Sequence, residues 1–326
     1  MNYENSCHAG DQRSSAHSYA ATIGFFDGVH RGHRFLIDSL KEEAGQRGLA
    51  SMVVTFGRHP RQVLCPDWQP ALLSTPEEKE ALLRQTAIDR LVVMPFDAAM
   101  SQLTARQFME QVLRDQLGVR LLLTGYDNHF GHRSTESETK REGFADYQAY
   151  GRELGIEVMA AEALAEGTVR YSSSLVRRLL AEGDVAAACD CLGRPYSLTG
   201  IVGHGEQIGR QIGFPTANIE VSHPYKIIPR SGVYAVAVSI PSTIHPSPLR
   251  GVMNIGHRPT FDGHRTTLEV HILDFDGDLY GQTITVSFLQ RLRDERHFNS
   301  PADLIHQMQQ DVAGVVKGSE GGVKRE

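Results

Sequence analysis

Basic residues are not in excess: 33 Lys and Arg stand against 39 Asp and Glu in 326 residues, a formal net charge of −6, and no stretch gathers five or more cations. This argues against binding to nucleic acid or an anionic membrane, where affinity comes largely from cation clusters facing phosphates. Long apolar runs are also missing. The longest, such as Val233 to Ile240, fall far short of the ~20 residues a membrane-spanning helix needs, so no span is expected. The first eighteen residues, MNYENSCHAGDQRSSAHS, lack the basic start and apolar core of a secretory signal; a flexible polar extension over 1–18 and a cytoplasmic location are expected. Cysteine is scarce. Cys7, Cys65, Cys189 and Cys191 include a Cys-x-Cys pair, which is neither a zinc spacing nor a disulfide framework, so reduced structural thiols are expected.

What is present divides the chain in two, as its length also favours. From Ala20 to about Gly193, apolar runs (21–26, 49–56, 90–96, 119–125 and 156–161) alternate with helical patterns. The clearest helix is Thr104 to Leu117, with capping-box spacing between Thr104 and Gln107 and an apolar stripe of Phe108, Val112 and Leu117, stopped by Gly118. Continuously apolar strands alternating with helices imply a doubly wound, Rossmann-like α/β domain, which binds ligands at the carboxyl ends of its strands. Past Arg194 come short β-patterned runs (196–204, 232–240, 249–256, 266–275 and 282–289), suggesting a small antiparallel β-barrel with a C-terminal helix from Pro301 to Val312. The expected division is 19–188 for the first domain and 189–314 for the second, with a flexible tail over 315–326.

The first strand ends in Gly24-Phe25-Phe26-Asp27-Gly28-Val29-His30-Arg31-Gly32-His33, and a helix pattern (Phe35, Leu36, Leu40) follows at once. A strand turning through glycines into a helix presents backbone N–H groups and a positive dipole end to phosphate. The G-x-x-x-x-G-K-[ST] and G-x-G-x-x-G patterns are absent there, which argues against a P-loop ATPase and a dinucleotide dehydrogenase. Two histidines flanking a glycine suit a triphosphate, stabilising charge that builds on phosphorus and on departing pyrophosphate. Taken alone, the pair is read equally well as metal ligands or helix caps, although the zinc reading lacks a third ligand.

The run TIGFFDGVHRGH resembles the nucleotide-binding signature of the HxGH nucleotidyltransferases, in particular the bifunctional bacterial riboflavin kinase/FMN adenylyltransferases, or FAD synthetases. Thr55-Phe56-Gly57-Arg58-His59-Pro60 resembles that family's T-F-x-x-H-P segment, Gly125 to Gly131 its G-x-D-F-R-F-G loop, and Tyr171 to Arg177 its I-S-S-T-x-I-R motif. The resemblance implies ATP contacts from Gly24, Phe25, Asp27, Gly28, Gly32 and Arg170, with His30, His33, Ser173, Ser174 and Arg177 in catalysis. It places FMN near His59, Pro60, Asp127 and Asn128. In adenylyl transfer, a phosphate of the acceptor attacks the α-phosphorus of ATP in line, so positioning and charge neutralisation suffice and no nucleophilic side chain is needed. The chain departs from the family pattern at Phe25, where Asn is common, at His129, where Arg is common, and in its polar insert after Gly131.

In the second half, Gly203, Gly205, Gly209 and Gly213 lead into Pro215-Thr216-Ala217-Asn218, and the run resembles the riboflavin kinase signature G-R-x-x-G-F-P-T-A-N. Gly205, Gly209, Arg210, Gly213 and Pro215 are then expected to hold ATP, and the Thr216 and Asn218 oxygens to suit Mg²⁺. Alternation puts Leu268, Val270 and Ile272 on one face of a strand and Glu269, His271 and Leu273 on the other. The kinase match makes Glu269 the general base for the ribityl hydroxyl, and Arg291, Arg293 and Glu295 flavin contacts. The reading is a two-step flavin-cofactor enzyme: riboflavin is phosphorylated with ATP to FMN in the barrel, and FMN adenylylated to FAD in the α/β domain, with release of pyrophosphate. Its rivals are a kinase with an inactive first domain and a non-enzymatic flavin or nucleotide sensor. Riboflavin, FMN, FAD and ATP are the expected partners, and the sequence carries no expectation about oligomeric state.

Overall fold

In a computed structural model, residues 18–317 are described, apart from 66, 126–129, 132–141, 163, 167–168, 206–208, 210–211, 242–247 and 261–262. The chain divides into two units, Met1–Ser172 and Ser173–Glu326. The division falls ahead of the 188/189 boundary expected from the sequence.

The first unit is built on five strands, β1 (Tyr19–Ile23), β2 (Ala50–Phe56), β3 (Arg90–Met94), β4 (Val119–Thr124) and β5 (Glu157–Ala160), in the order β3-β2-β1-β4-β5. Every pairing is parallel. Side-chain alternation sends Ala20, Val53, Leu121 and Leu123 to one face, where Ile37 and Leu40 of α1 (Arg31–Arg47) cover them. Ala21, Ile23, Met52, Val54 and Leu122 go to the other, under Met109, Leu113, Tyr147 and Leu154. Burial on both faces explains why these strands read as unbroken apolar runs. The remaining helices of this unit are α2 (Pro60–Leu64), α3 (Pro76–Arg84), α4 (Ala98–Ser101), α5 (Ala105–Gln107) and α6 (Phe144–Leu154). A two-stranded ribbon, β6 (Ala165–Glu166) with β7 (Val169–Arg170), completes it.

The expected helix from Thr104 starts with its capping box, Thr104 Oγ1 accepting from Gln107 N and Gln107 Oε1 from Thr104 N. It then widens into a π-helix, Phe108–Gln116. Its apolar face buries the adjacent pairs Phe108–Met109 and Val112–Leu113.

The second unit opens with α7 (Ser173–Glu182) and α8 (Val185–Leu192) and continues as a closed antiparallel barrel. Its strands are β8 (Ser197–Gly203), β9 (Ala217–Val221), β10 (Gly232–Ser239), β11 (Leu249–Thr260), β12 (Gly263–Ile272) and β13 (Thr283–Arg293), in the order β10-β11-β12-β9-β8-β13. No β-patterned run was expected at β9, whose first two residues, Ala217 and Asn218, belong to the segment expected to hold ATP and Mg²⁺. Leu268, Val270 and Ile272 are buried, as their alternation predicts. Leu273 on the other face is buried as well, in a cluster with Val233, Val252 and Val315. That cluster corrects the expected helix end at Val312: the C-terminal helix α9 runs Pro301–Lys317 because Val315 packs against the barrel.

Candidate functional site

In the strand order of the first unit, the chain steps from β1 outward to β2 and β3 and returns to β4 on the other side of β1. This reversal opens a crevice at the strands' carboxyl ends. The segment leaving β1 there is held in an unusual shape. Phe26, Gly28 and Val29 have φ values of 55°, 78° and 39°. Left-handed backbone is costly for a β-branched valine, and such strain persists only where surroundings over-determine it. They do so here. Gly24 N donates to Val54 O (3.1 Å), Thr55 Oγ1 to Phe25 O (3.2 Å), and Gly28 N to Ser74 Oγ (3.0 Å). The buried Asp27 carboxylate accepts from Leu73 N and Ser74 N at 3.0 and 3.1 Å. Asp27, expected on nucleotide, is thus engaged by the chain itself.

The loop delivers His30 as the N-cap of α1, its Nδ1 accepting from His33 N (3.3 Å). That bond requires Nδ1 of His30 to be unprotonated and leaves Nε2 to carry the proton. The rings of His30 and His33 stack with centroids 3.6 Å apart, and Phe26 closes on His33 edge-on at 5.1 Å. Burial, and then the neighbouring His30, hold His33 well below the ordinary histidine range; its Nδ1 is buried with no hydrogen-bond partner among the described residues. Gly32 has no room for a side chain, since a Cβ would stand 3.0 Å from Tyr171 O and 3.2 Å from the His30 ring. Tyr171 also accepts a hydrogen bond from Arg31 (2.9 Å), tying the residues before α7 to the entry of α1.

His59 caps α2 and meets Phe25 edge-on at 4.6 Å, bringing the Thr55–Pro60 segment to the loop. Asp127 and Asn128 lie outside the described residues. Arg170 is exposed, while Ser173, Ser174 and Arg177 occupy the start of α7 in the second unit. Sequence reasoning missed Lys79. It is 3% exposed, with Nζ donating to Phe56 O (2.7 Å) and lying 3.9 Å from the centre of the Phe25 ring. Burial brings its pKa down to about 8, with Asp27 opposing the shift. Its signal was its place one turn before Leu83 on the buried stripe of α3.

In the barrel, Glu269 stands opposite Asn218 in the β12–β9 register, and Thr216 Oγ1 donates to Glu269 Oε2 at 3.5 Å. Gly205 and Gly209 let the loop backbone approach this group closely: a Cβ would lie 2.1 Å from Asn218 Nδ2 at the first, and 2.3 Å from Phe214 O and 3.4 Å from Thr216 Oγ1 at the second. A hydroxyl, an amide oxygen and one carboxylate set side by side are hard ligands that fit Mg²⁺ accompanied by phosphates. Gly213 has φ 84°, and Arg210 lies outside the described residues. His271 bonds Pro215 O through Nδ1 (2.8 Å), anchoring the loop to β12. A cavity of about 350 Å³ adjoins it, lined among others by Pro215, Thr216, Val270, Phe275 and Tyr280.

Arg291 and Arg293, expected on flavin, have partners inside the fold. Arg291 donates to Ser231 O (2.8 Å) and Asp294 (2.7 Å), and Arg293 is bidentate to Asp311 of α9, its closest approach 2.7 Å. Glu295 reaches Gly256, where a Cβ would stand 2.6 Å from its Oε1.

Residues 12–175 match the FAD synthetase family model and residues 192–317 the riboflavin kinase model. The bifunctional riboflavin kinase/FMN adenylyltransferases of Escherichia coli K12 and Bacillus subtilis are 40% and 36% identical over 291 and 299 residues. These alignments cover 89% and 90% of this chain and the same shares of theirs. A solved structure titled as a macrolide-efflux protein from Streptococcus pneumoniae superposes with a TM-score of 0.80 at 30% identity, covering 91% of this chain and 93% of that one. No helix among the described residues is long and apolar enough to cross a membrane. With both family models placed on the two motif sets and relatives aligned across nearly the whole chain, this protein belongs to the bifunctional riboflavin kinase/FMN adenylyltransferase family.

Proposed function

We propose that the first unit transfers an adenylyl group to FMN and the barrel phosphorylates riboflavin, each with its own ATP. In the barrel, Glu269 takes the proton of the ribityl 5′-hydroxyl as that oxygen attacks the γ-phosphorus, and ADP leaves. Thr216 and Asn218 would hold Mg²⁺, which neutralises phosphate charge when bound. Glu295 contacts flavin; Arg291 and Arg293 act by holding the segment that carries it. In the first unit, an FMN phosphate oxygen attacks the α-phosphorus of ATP and pyrophosphate leaves. His30 and His33 donate to the oxygens gaining charge, and Arg170, Ser173, Ser174 and Arg177 supply further phosphate donors. FMN lies along His59, Pro60, Asp127 and Asn128. The enzyme works in the cytoplasm on these small molecules, without nucleic acid or membrane.

The observation that carries this reading is the convergence of Thr216, Asn218 and Glu269 at one place in a chain that also stacks His30 on His33 at the entry of α1. The test is one incubation of the pure protein with riboflavin, ATP and Mg²⁺, followed by chromatography of the flavins. FAD is the expected product. FMN alone would leave a kinase with an inactive first unit, and unchanged riboflavin would remove both activities.

A further inference from the structure

A lysine that is 3% exposed is unusual, because an ammonium gives up its hydration unless partners replace it. Lys79 has three N–H groups. One caps the carbonyl of Phe56, the last residue of β2, and the cation rests on the face of the Phe25 ring. A methionine or leucine would fill this place on the α3 stripe without the desolvation cost, so a purely apolar role does not account for the charge.

The surroundings supply a reason. Phe25 follows Gly24 and precedes the left-handed residues Phe26, Gly28 and Val29, which deliver His30 and His33. The segment leading into α3 holds this loop at two places: Leu73 and Ser74 bind Asp27 and Gly28, and one turn into the helix Lys79 binds Phe25. Across the ring, His59 meets Phe25 edge-on. The charged or titratable groups facing Lys79 are Asp27 from the loop and, beyond the ring, His59 from the segment after β2. Glu78, its neighbour on α3, is turned away to the Thr75 N–H.

We propose that Lys79 is a positioning residue for adenylylation: its cation pins the Phe25 ring against the end of β2 and thereby fixes the loop that aims His30 and His33, without touching substrate. The proposal rests on the assignment of adenylyl transfer to the first unit. It is specific to this chain's Phe25, since the family pattern often has Asn there and a cation–ring contact needs the ring.

The test uses the full-length protein and follows both reactions in each preparation, so that riboflavin phosphorylation serves as the control. Lys79→Met keeps the length and apolar bulk of the side chain and removes the charge. Since misplacement of reacting groups by ~1 Å costs up to ~10²-fold, kcat for FAD formation should fall about 10- to 100-fold. Phosphorylation and the KM for ATP in the kinase reaction should be unchanged. Phe25→Leu should fall similarly, and the double variant should be no worse than either single one, because both act through one contact.

The pH profile supplies a readout that a merely structural lysine would not move. In the unmutated protein, adenylylation should decline as the pH rises through about 8, where Lys79 loses its proton, and Lys79→Met should lack that limb. The same deprotonation does not unfold the unit. The folded value of about 8 lies below the ordinary 10.5, so the unfolded chain binds the proton more tightly, and stability from this group rises between those two pH values. Wild-type kcat with an unchanged profile in Lys79→Met would overturn the proposal, as would additive losses in the double variant. Loss of the unit's cooperative unfolding transition in Lys79→Met would also overturn it, by making the lysine a fold requirement. Failure of the unmutated protein to make FAD would overturn the underlying assignment instead.

Discussion

A carboxylate on a barrel strand is ordinarily a solvated side chain, and Glu269 differs through its neighbours: Asn218 in register opposite it and the Thr216 hydroxyl 3.5 Å away. Glu269→Gln keeps the size and removes the basicity. Kinase turnover should fall by ~10²–10⁴ while ATP affinity, read by calorimetry, changes little and adenylylation of supplied FMN is untouched. Near-normal turnover would send the proton elsewhere, for example directly to an ATP oxygen. His33→Ala should have the mirror effect, costing FAD formation ~10²–10³ and sparing phosphorylation. His33 also carries a stability signature. Its folded value is depressed, so it stays neutral where the unfolded chain is protonated; stability from this group is therefore lost as the pH falls below 6.5. A melting series from pH 7.5 to 5 should show the first unit weakening and the slope flattening in His33→Leu. Equal slopes would mean that the ring is solvated. His30, His33 and Glu269 were legible because their residue types and order are informative. Lys79 was not, because its role depends on a ring 54 positions away in the chain, and a lysine on a helix is by default a solvated one.

At the scale of elements, the pattern of apolar residues predicted the strands well and some boundaries badly, for reasons visible in the packing. The inner strands β1, β2 and β4 stood out because burial on both faces leaves little polar interruption. β9 was lost because its short run, Ala217 to Val221, has one fully buried residue, Ile219, and pairs through residues that also read as a ligand motif. The end of α9 was misplaced because the composition after Val312 suggested a flexible tail, whereas tertiary burial of Val315 extends the helix. That helix is also held by charge. Arg293 and Asp311 are 14% and 6% exposed and joined by paired hydrogen bonds, and Gln307 adds a third donor to Asp311. Removing one partner of so enclosed a pair strands the other charge, at a cost of ~3–5 kcal/mol. Asp311→Ala should therefore lower the melting temperature of the barrel by several degrees or more and reduce phosphorylation through loss of the ordered 291–295 segment. Arg293→Met with Asp311→Leu, which removes both charges, should recover much of the stability. If Asp311→Ala melted like the unmutated protein, the pair would be a surface ornament and α9 would be held by Val312 and Val315 alone.

At the scale of the whole molecule, the texture of the sequence announces two units, but composition alone does not place the seam. The change from helix-and-strand alternation to short strands occurs near 190, yet the packing groups α7 and α8 with the barrel. Local pattern cannot reveal this, because a helix between two domains has an apolar stripe whichever side it covers. The contacts within the second unit are specific. Arg230 N donates to Leu180 O (2.9 Å), a Cβ on Gly183 would meet Arg291 at 2.7 Å, and Val176, Leu180, Val185, Ala188 and Leu192 are all buried. A fragment beginning at Cys189 deletes α7 and half of α8, uncovering apolar area worth ~25 cal/mol per Å² and freeing Arg291 from its cover. A fragment from Ser173 to Glu326 keeps all of it. The longer fragment should express as a cooperatively unfolding protein that converts riboflavin to FMN and makes no FAD, since His30 and His33 are absent. The shorter one should melt well below it or fail to fold, with phosphorylation reduced in proportion to the folded fraction. Equal melting temperatures and kinase rates in the two would show that α7 and α8 do not support the barrel, and the functional seam would then move to the 188/189 boundary expected from the sequence.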